Sequence, residues 1–436
     1  MAESLSGFPE WLPEQELFQR RLIELVRHQF ELHGFTPLQT RSIELASDLL
    51  GEGGDTDKEI YGVQRLAAEP SGDSKLALHF DLTVPFARYV VENRSALTFP
   101  FRRYQVQQAW RGERPQLGRY REFLQADADV IASGSMDVRF DREMVALLRT
   151  TLDALPIPNV RLLVNNRKLL EGFYRGLGIH DITGTLRIVD KIAKIGPAAV
   201  VQQLMDRGLT ATQAEKCVAV SAIEIRNDAD AQRVLDLGER NDLLDEGLRE
   251  LLFVLSASRN AARPDSIVGA LSIARGLDYY TGTVVEGVFE DHPKLSAVCS
   301  GGRYDNLASG RSKEKLPGVG VSIGITRIMG YCAHLGLLKE TRPRRTPAAV
   351  YVLVHAEDER EASEAVARGL RKRGIAALVS DSADAYGKQI RSANQLGVPY
   401  VWFPARGEDG QHEVKDLLAG HQTPADPTTW VPTPVT

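Results

Sequence analysis

Residues 101–132 read FRRYQVQQAWRGERPQLGRYREFLQADADVIA. Phe101–Arg111 and Phe123–Ile131 read as two strands joined by a loop around Pro115 and Gly118. In the second strand, a period of two puts Phe123, Gln125, Asp127 and Asp129 on one face and Leu124, Ala126, Ala128 and Val130 on the other. In the first, Gln105, Gln107 and Arg111 share a face. The pattern predicts an antiparallel hairpin with one wet face. Residues 101–121 also hold six arginines and a single acid, Glu113, in a chain whose formal net charge is -5. Planar guanidinium groups grip phosphate bidentately, so a local arginine cluster in an acidic protein points to a polyphosphate or nucleic-acid site. A solvated basic hairpin is the plainer reading of the same segment.

Other stretches supply complementary chemistry. Lys75–Thr83 (KLALHFDLT) alternates strictly, with Leu76, Leu78, Phe80 and Leu82 on one side and Ala77, His79, Asp81 and Thr83 on the other. That predicts a strand with an apolar back and a polar front, and Pro85 then opens a helix. Asp81, Thr83, Gln125 and Asp129 together offer two carboxylates and two neutral hydrogen-bonding groups, a set suited to an ammonium or imidazole ligand. Arg275-Gly276-Leu277-Asp278-Tyr279-Tyr280 places one fixed cation beside two phenols. Ser300-Gly301-Gly302-Arg303-Tyr304-Asp305 permits close backbone approach by a ligand, although paired glycines are also common in turns. Gly318, Gly320 and Gly324 stand at even spacing and leave a slot for a flat group, with Arg327 following at a helix start. Phe123 could stack on a base, and equally could pack in a core. There is no G-x-x-x-x-G-K-[ST] loop and no strand–GxGxxG–helix unit, so a nucleotide site here is of another kind.

At 436 residues the chain has room for two or three domains. Its 43% hydrophobic and 25% charged content is ordinary for a soluble protein, and no apolar run is long enough for a transmembrane helix. The start, MAESLSGFPEWLPEQELFQRR, is unlike a signal peptide. Cys217, Cys299 and Cys332 are far apart and odd in number, which points to reduced thiols in a cytoplasmic protein and to no zinc spacing. Glu14–Leu32 has helical spacing of Phe18, Leu22, Val26 and Phe30, with Gly34 to end it. Residues 185–260 read as a helical insertion. After the linker Arg342–Thr346 the pattern becomes β-α-β-α-β, an α/β domain with a largely parallel sheet, followed by an irregular proline-rich tail.

These residues carry a resemblance. Phe35–Glu44, Phe101–Ala132 and Gly318–Arg327 resemble motifs 1, 2 and 3 of class II aminoacyl-tRNA synthetases. ARGLDYYTGTVVE at 274–286, SGGRYDNL at 300–307 and LHFDLTVPFARY at 78–89 resemble signature segments of the histidyl-tRNA synthetase family. Thr346–Phe403 and Glu413–Leu417 resemble an anticodon-binding domain. The resemblance implies an α+β catalytic domain on an antiparallel sheet (1–184 and 261–340), a helical insertion (185–260) and a C-terminal α/β anticodon-binding domain with its tail (346–436). It implies a homodimer formed partly through motif 1. L-histidine and ATP, with Mg2+, would give histidyl-adenylate, and the histidyl group would pass to the 3′ end of histidine tRNA. By the same resemblance Arg111 grips the α-phosphate, Arg119 and Arg327 the outer phosphates, Phe123 stacks on adenine near Glu113, and Arg275 is an extra catalytic cation. Asp81, Thr83 and Gln125 would hold the α-amine, and Asp129 and Tyr280 the imidazole, with Tyr279 and Tyr304 completing the pocket. No residue is assigned to a metal. Asp81 and Asp129 stand where many members have Glu, His79 where many have Arg, and Thr326 where an acid is usual. The rival reading is a synthetase-like regulatory subunit of ATP phosphoribosyltransferase, a paralogue that usually lacks the C-terminal domain and degrades the ATP-binding arginines.

Overall fold

The computed structural model describes residues 5–50, 58–66, 74–238, 240–260, 263–273, 280–308, 312, 314–338, 343–406 and 410–433. Arg275 and Tyr279 therefore lie outside the described residues. Internal contacts divide the chain into two compact units, residues 1–9 with 22–331, and residues 10–21 with 332–436.

The first unit is organised by a nine-stranded sheet. In spatial order its strands are Thr36–Pro37, Phe101–Trp110, Glu122–Ile131, Gly318–Gly324, Cys299–Tyr304, Thr283–Phe289, Val160–Asn166, Ile267–Ala270 and Glu224–Ile225. All neighbouring pairs are antiparallel except the first pair and the pairing of Val160–Asn166 with Ile267–Ala270. The expected hairpin is present, with Arg103 opposite Asp129, Gln105 opposite Asp127 and Gln107 opposite Gln125. Its polar face is not wet, however. Arg103, Gln105, Gln107, Asp127 and Asp129 are all buried, and Arg103, Gln105 and Gln107 find partners in Asp129, one another, Thr40 and Ser42. Arg103 lies 2.7 Å from Asp129 and donates to Gln105 and to the Leu82 carbonyl. Behind the sheet, the amphipathic helix Arg139–Asp153 is tied to the strand Cys299–Tyr304 by the buried pair Arg303–Asp141.

The segment 75–83 departs from its expected reading. Only Leu76–Leu78 is a strand, in a separate three-stranded sheet with Ile43–Leu45 and Gly62–Val63. Ala77 and His79 are buried, while Leu76 is 42% exposed. Within the strand the alternation points the other way, although Leu82 beyond it is buried as expected. Glu44 lies opposite Ala77 on the inner face, where Arg88 and Arg41 neutralise its carboxylate at 2.8 and 2.7 Å. Ile43, Leu45 and Leu76 face outward. The chain then turns into the helix Thr83–Glu92, so Pro85 falls in its first turn.

Across 182–255 the chain is mainly helical. Thr210 and Gln213 form a reciprocal capping box, and Asn227 and Asn241 cap the following helices. The small strand Glu224–Ile225, which period analysis did not anticipate, extends the main sheet. The last helix, Asp242–Leu255, packs on the helix Arg167–Gly176 so tightly that a Cβ on Gly247 would lie 2.2 Å from the Leu169 nitrogen.

The second unit has a five-stranded sheet in the order Ala377–Val379, Val350–Val352, Tyr400–Phe403, Glu413–Asp416, Gln422–Pro424. The first three strands are parallel and the last two antiparallel. Helices Arg360–Lys372 and Tyr386–Gln395 supply the crossovers. The tail is more ordered than its proline content implies. Gln422–Pro424 pairs in the sheet, and Trp430 packs on Tyr400 and on the fully buried Trp402 at 5.1 and 5.5 Å between ring centroids. The Arg373 guanidinium donates to the carbonyls of Pro427, Thr429 and Trp430.

Two glycines in helices separate packing from propensity. Gly247→Val forces a side chain into backbone and is expected to destabilise by about 1–3 kcal/mol or more. Gly387→Ala meets nothing within 4 Å and is expected to stabilise by about 0.4–1 kcal/mol. Denaturant unfolding of the two variants checks the pair.

Candidate active site

The hairpin, the strand Gly318–Gly324 and the start of the helix Ile325–His334 build one side of a cavity of about 220 Å3. Arg111, Arg119 and Arg327 line it together with Glu113, Phe123 and Gln125. The sequence reading grouped five of these around a nucleotide and set Gln125 with the α-amine. Arg327 is held by donation from Nε to the Gly118 carbonyl at 2.8 Å and from Nη1 to the Ala297 carbonyl at 2.6 Å. Burial, opposed by Tyr331 and reinforced by the cations Arg111 and Arg119, lowers its pKa, yet guanidinium remains charged at any physiological pH. Three cations thus face one space, the mutual repulsion of which an anion relieves. Arg119 meanwhile pairs with Glu113 at 3.0 Å. Arg111 donates to the Phe80 carbonyl, and its guanidinium lies 5.0 Å from the Phe123 ring centroid. Arg121, by contrast, turns away and donates to the Glu113 and Ser6 carbonyls.

A wider, open hollow of Glu59, Phe80, Arg114, Pro115 and Gln116 adjoins the first and shares Arg111, Glu113 and Arg119 with it. On the inner side, a much smaller cavity is lined by Thr83, Asp127, Asp129, Tyr280, Tyr304 and the backbone around Gly301 and Gly320. Ser300 and Ser322 belong to both the small cavity and the larger one. Asp81 caps the helix Thr83–Glu92 by accepting from the Val84 nitrogen at 3.0 Å and lines neither space. Burial raises its pKa, against the helix hydrogen bond and Arg111.

The glycine slot is only partly open. A Cβ at Gly318 would lie 2.3 Å from the Tyr304 ring, and one at Gly320 would lie 1.9 Å from Asp129 Oδ1. The protein's own side chains fill that half, and only Ser322 and Gly324 face the larger cavity. Gly301 and Gly302 are in a strand, not a turn. A Cβ at Gly302 would lie 2.5 Å from the Thr283 carbonyl oxygen.

Sequence reasoning passed over two charged groups. Arg103, fully buried, is the cation facing the carboxylates at the inner end. Asp127 was placed on the correct face by its period but given no part. Its carboxyl is pushed up to about 7 by burial, with Arg103 opposing and Asp129 adding to the rise. Burial likewise raises Asp129 against Arg103 and Tyr304, and raises the phenol of Tyr280. Thr326, where an acid was expected, accepts from the Leu124 nitrogen at 2.8 Å and so fixes the helix start to the hairpin. His79 is fully buried, with its ring nitrogens 3.2 and 2.7 Å from the Arg41 and Gln108 carbonyl oxygens. All three cysteines are buried, and burial pushes the thiols of Cys217 and Cys299 up to about 12.

An antiparallel sheet carrying an arginine-lined cavity on its motif 2 hairpin and motif 3 strand–helix is the catalytic domain of a class II aminoacyl-tRNA synthetase. Comparison with known proteins narrows the class. Residues 7–328 match the family described as histidyl-tRNA synthetase, and residues 349–422 match the anticodon binding domain. The chain is 47% identical to the histidine–tRNA ligase of Micrococcus luteus, covering 98% of this chain and 96% of that one. It is 45% identical to that of Thermobifida fusca, covering 98% and 97%. The crystal structure of histidyl-tRNA synthetase from Nostoc sp. PCC 7120 superposes with a TM-score of 0.86 at 32% identity, over 98% of this chain and 97% of that one. This chain belongs to the histidyl-tRNA synthetase family.

Asp127 gives the site a pH signature. Between pH 3.8 and about 7 the folded state keeps a proton on this carboxyl that the unfolded chain has lost. Stability from this group therefore falls as pH rises through that window. The melting temperature of Asp127→Asn relative to the parent protein is expected to climb from pH 4 to pH 7.5, by an amount equivalent to a few kcal/mol at most. Paired melts across that range check it.

Proposed function

We propose that the chain activates L-histidine with ATP and transfers the histidyl group to the 3′ end of histidine tRNA. The observation that carries this reading is the continuity of two chemistries. An arginine-lined cavity of nucleotide character shares Ser300 and Ser322 with a carboxylate-lined cavity suited to a basic amino acid. The substrate carboxylate is itself the nucleophile. One of its oxygens attacks the α-phosphorus, the bond to the β-phosphate oxygen breaks, and pyrophosphate leaves. In the second step a hydroxyl at the tRNA 3′ end attacks the carbonyl carbon and AMP leaves.

No strong base is needed for the first step, so alignment and fixed charge do the work. We assign Arg111 to the α-phosphate and Arg119 and Arg327 to the outer phosphates. Adenine would take the face of Phe123 that Arg111 leaves free, with Glu113 at its edge. Thr83 and Gln125, backed by Asp81, would hold the α-amine, while Asp129 and Tyr280, with Tyr304 and Tyr279, would form the imidazole pocket. Arg275 is retained as a catalytic cation on the family resemblance. Mg2+ belongs with the nucleotide, since such ions use one or two carboxylates plus substrate phosphates, and it would neutralise charge on the leaving pyrophosphate. Among the described residues no three His, Cys, Asp or Glu side chains converge on a metal position.

We assign 1–184 and 261–340 to the catalytic domain, 185–260 to the insertion and 346–436 to anticodon binding. In the last of these, His355, Tyr386, Phe403 and Arg406 cluster at the carboxyl ends of the strands Val350–Val352 and Tyr400–Phe403. The crossover direction reverses between those two strands, the position where α/β sheets bind ligands. The exposed face of Ile43, Leu45 and Leu76 supports a homodimer through motif 1, since a contiguous apolar patch on an edge sheet marks an interaction site. No described helix is long and apolar enough to cross a membrane. The chemistry and the free thiols fit the cytoplasm. The arginines and the C-terminal unit weigh against the regulatory-subunit reading.

Amino-acid-dependent ATP–pyrophosphate exchange tests the reading. Exchange is expected with histidine and with no other amino acid, and its absence in folded protein would move the assignment to the regulatory paralogue. Arg111→Ala is expected to lower exchange about 100- to 1,000-fold. Separately, Leu76→Glu is expected to shift the chain from dimer to monomer in sedimentation velocity, and an unchanged mass would remove this face from the interface.

A further inference from the structure

Resting on that reading, we infer that Tyr331, one turn along the helix from Arg327, is a positioning residue that sets the placement of the phosphate-facing arginines Arg119 and Arg327. It is 1% exposed and takes no part in lining the larger cavity. Its side chain instead meets both walls of that cavity from behind. One wall is the loop of the hairpin, and the other is the segment 296–299, which leads into the strand Cys299–Tyr304.

On the loop side the contact is steric. Gln116 and Arg119 exchange backbone hydrogen bonds of 3.1 and 2.8 Å across a turn whose central residues are Leu117 and Gly118. Gly118 has a φ of +74°, in the left-handed region that favours glycine. That conformation lays its bare α-carbon on the Tyr331 ring. A Cβ there would lie 2.4 Å from Cε1, from Cζ and from the hydroxyl oxygen. Two residues on, Tyr120 crosses the same helix at Gly330, where a Cβ would lie 2.2 Å from the Tyr120 hydroxyl oxygen. Arg119, between these two seated residues, lines the cavity.

On the facing side the contact is polar. The Tyr331 hydroxyl accepts from the Ser296 nitrogen at 3.1 Å, and Phe289 holds the ring edge-on with 6.1 Å between centroids. Arg327 reaches the same two segments, through the carbonyls of Gly118 and Ala297. Arg327 and Tyr331 are four residues apart and so share one face of the helix. With Nε and Nη1 engaged on backbone, the direction in which Arg327 presents its charge depends on where Gly118 and Ala297 stand. Tyr331 fixes both, because it carries Gly118 and holds the residue before Ala297. Such placement matters in an in-line transfer, where an error of ~1 Å can cost about 100-fold.

The test is pyrophosphate exchange by the full-length enzyme, with KM for ATP and for histidine measured separately. Tyr331→Phe keeps the ring under Gly118 and removes the acceptor for Ser296. It is expected to raise KM for ATP about 3- to 10-fold and to leave KM for histidine within about twofold. Tyr331→Leu removes ring and acceptor together and is expected to raise KM for ATP about 10- to 100-fold. Gly118→Ala, whose Cβ meets the ring, is expected to match that loss. The double variant Gly118→Ala with Tyr331→Leu is expected to lose no more than either alone, since leucine lacks the ring atoms that collide. A merely structural role would lower the amount of active enzyme and move neither KM. An unchanged KM for ATP in Tyr331→Phe, an equal rise in both KM values, or fully additive losses in the double variant overturns the inference. Histidine-dependent exchange by the parent protein, measured alongside, separates any of these from failure of the functional reading.

Discussion

A guanidinium with no solvent exposure at all, Arg103, sits across the hairpin from Asp129 and over the Phe86 ring at 4.2 Å. Removing a cation from water is costly unless it is paired and hydrogen-bonded. The surroundings meet that demand. Asp129 supplies charge, Gln105 and the Leu82 carbonyl accept, and Tyr304 holds Asp129 from the neighbouring strand. Each partner comes from a different part of the chain, so one buried cation fixes the register of the hairpin, the start of the helix Thr83–Glu92 and the strand Cys299–Tyr304 together. The carboxylates exceed the cation that faces them, and this imbalance gives the inner cavity its acidic character.

Periodicity was a sound guide wherever a segment had one neighbour on each side. The hairpin, the helix Pro13–Leu32 and the C-terminal β-α-β-α-β order all follow from it, within the usual drift of one or two residues at the ends. It misled where the meaning of inside depends on more than one chain segment. At 75–83 the leucines alternate as a buried face should, yet the small sheet packs inward through Ala77 and Glu44 and leaves Leu76 out, and only Leu82, beyond the strand, is in the core. On the hairpin, polar residues were assigned to solvent because nothing in the sequence reveals that Arg103 and the aspartates cancel across strands. The tail was read as irregular from its prolines, which do not report that Trp430 has two aromatic partners in the unit's core.

The arginine side of the candidate site was legible in the sequence, because a local excess of cations leaves a compositional mark. A cluster of arginines in an acidic chain stands out, and the three that line the larger cavity are among those singled out by composition and spacing. The recognition end leaves a weaker mark. Aspartates at alternate positions announce a face, not their partners, and the ion pair with Arg103 and the Tyr304 hydroxyl set Asp129 apart from Asp127. The departures from common patterns also resolve into local physics. Thr326 spends its hydroxyl on the Leu124 nitrogen, and His79 sits between two carbonyls against Trp110.

The composition of the second unit has a consequence for biosynthesis. It groups residues 10–21 with residues 332–436, far apart in the chain, and its core takes in Trp430. Its core cannot close until Trp430 has left the ribosomal tunnel. The first unit's central hairpin is complete within its own stretch of chain. Assembly of this molecule on the ribosome is thus staggered: the hairpin of the first unit can form early in translation, whereas the second unit waits for Trp430 to emerge.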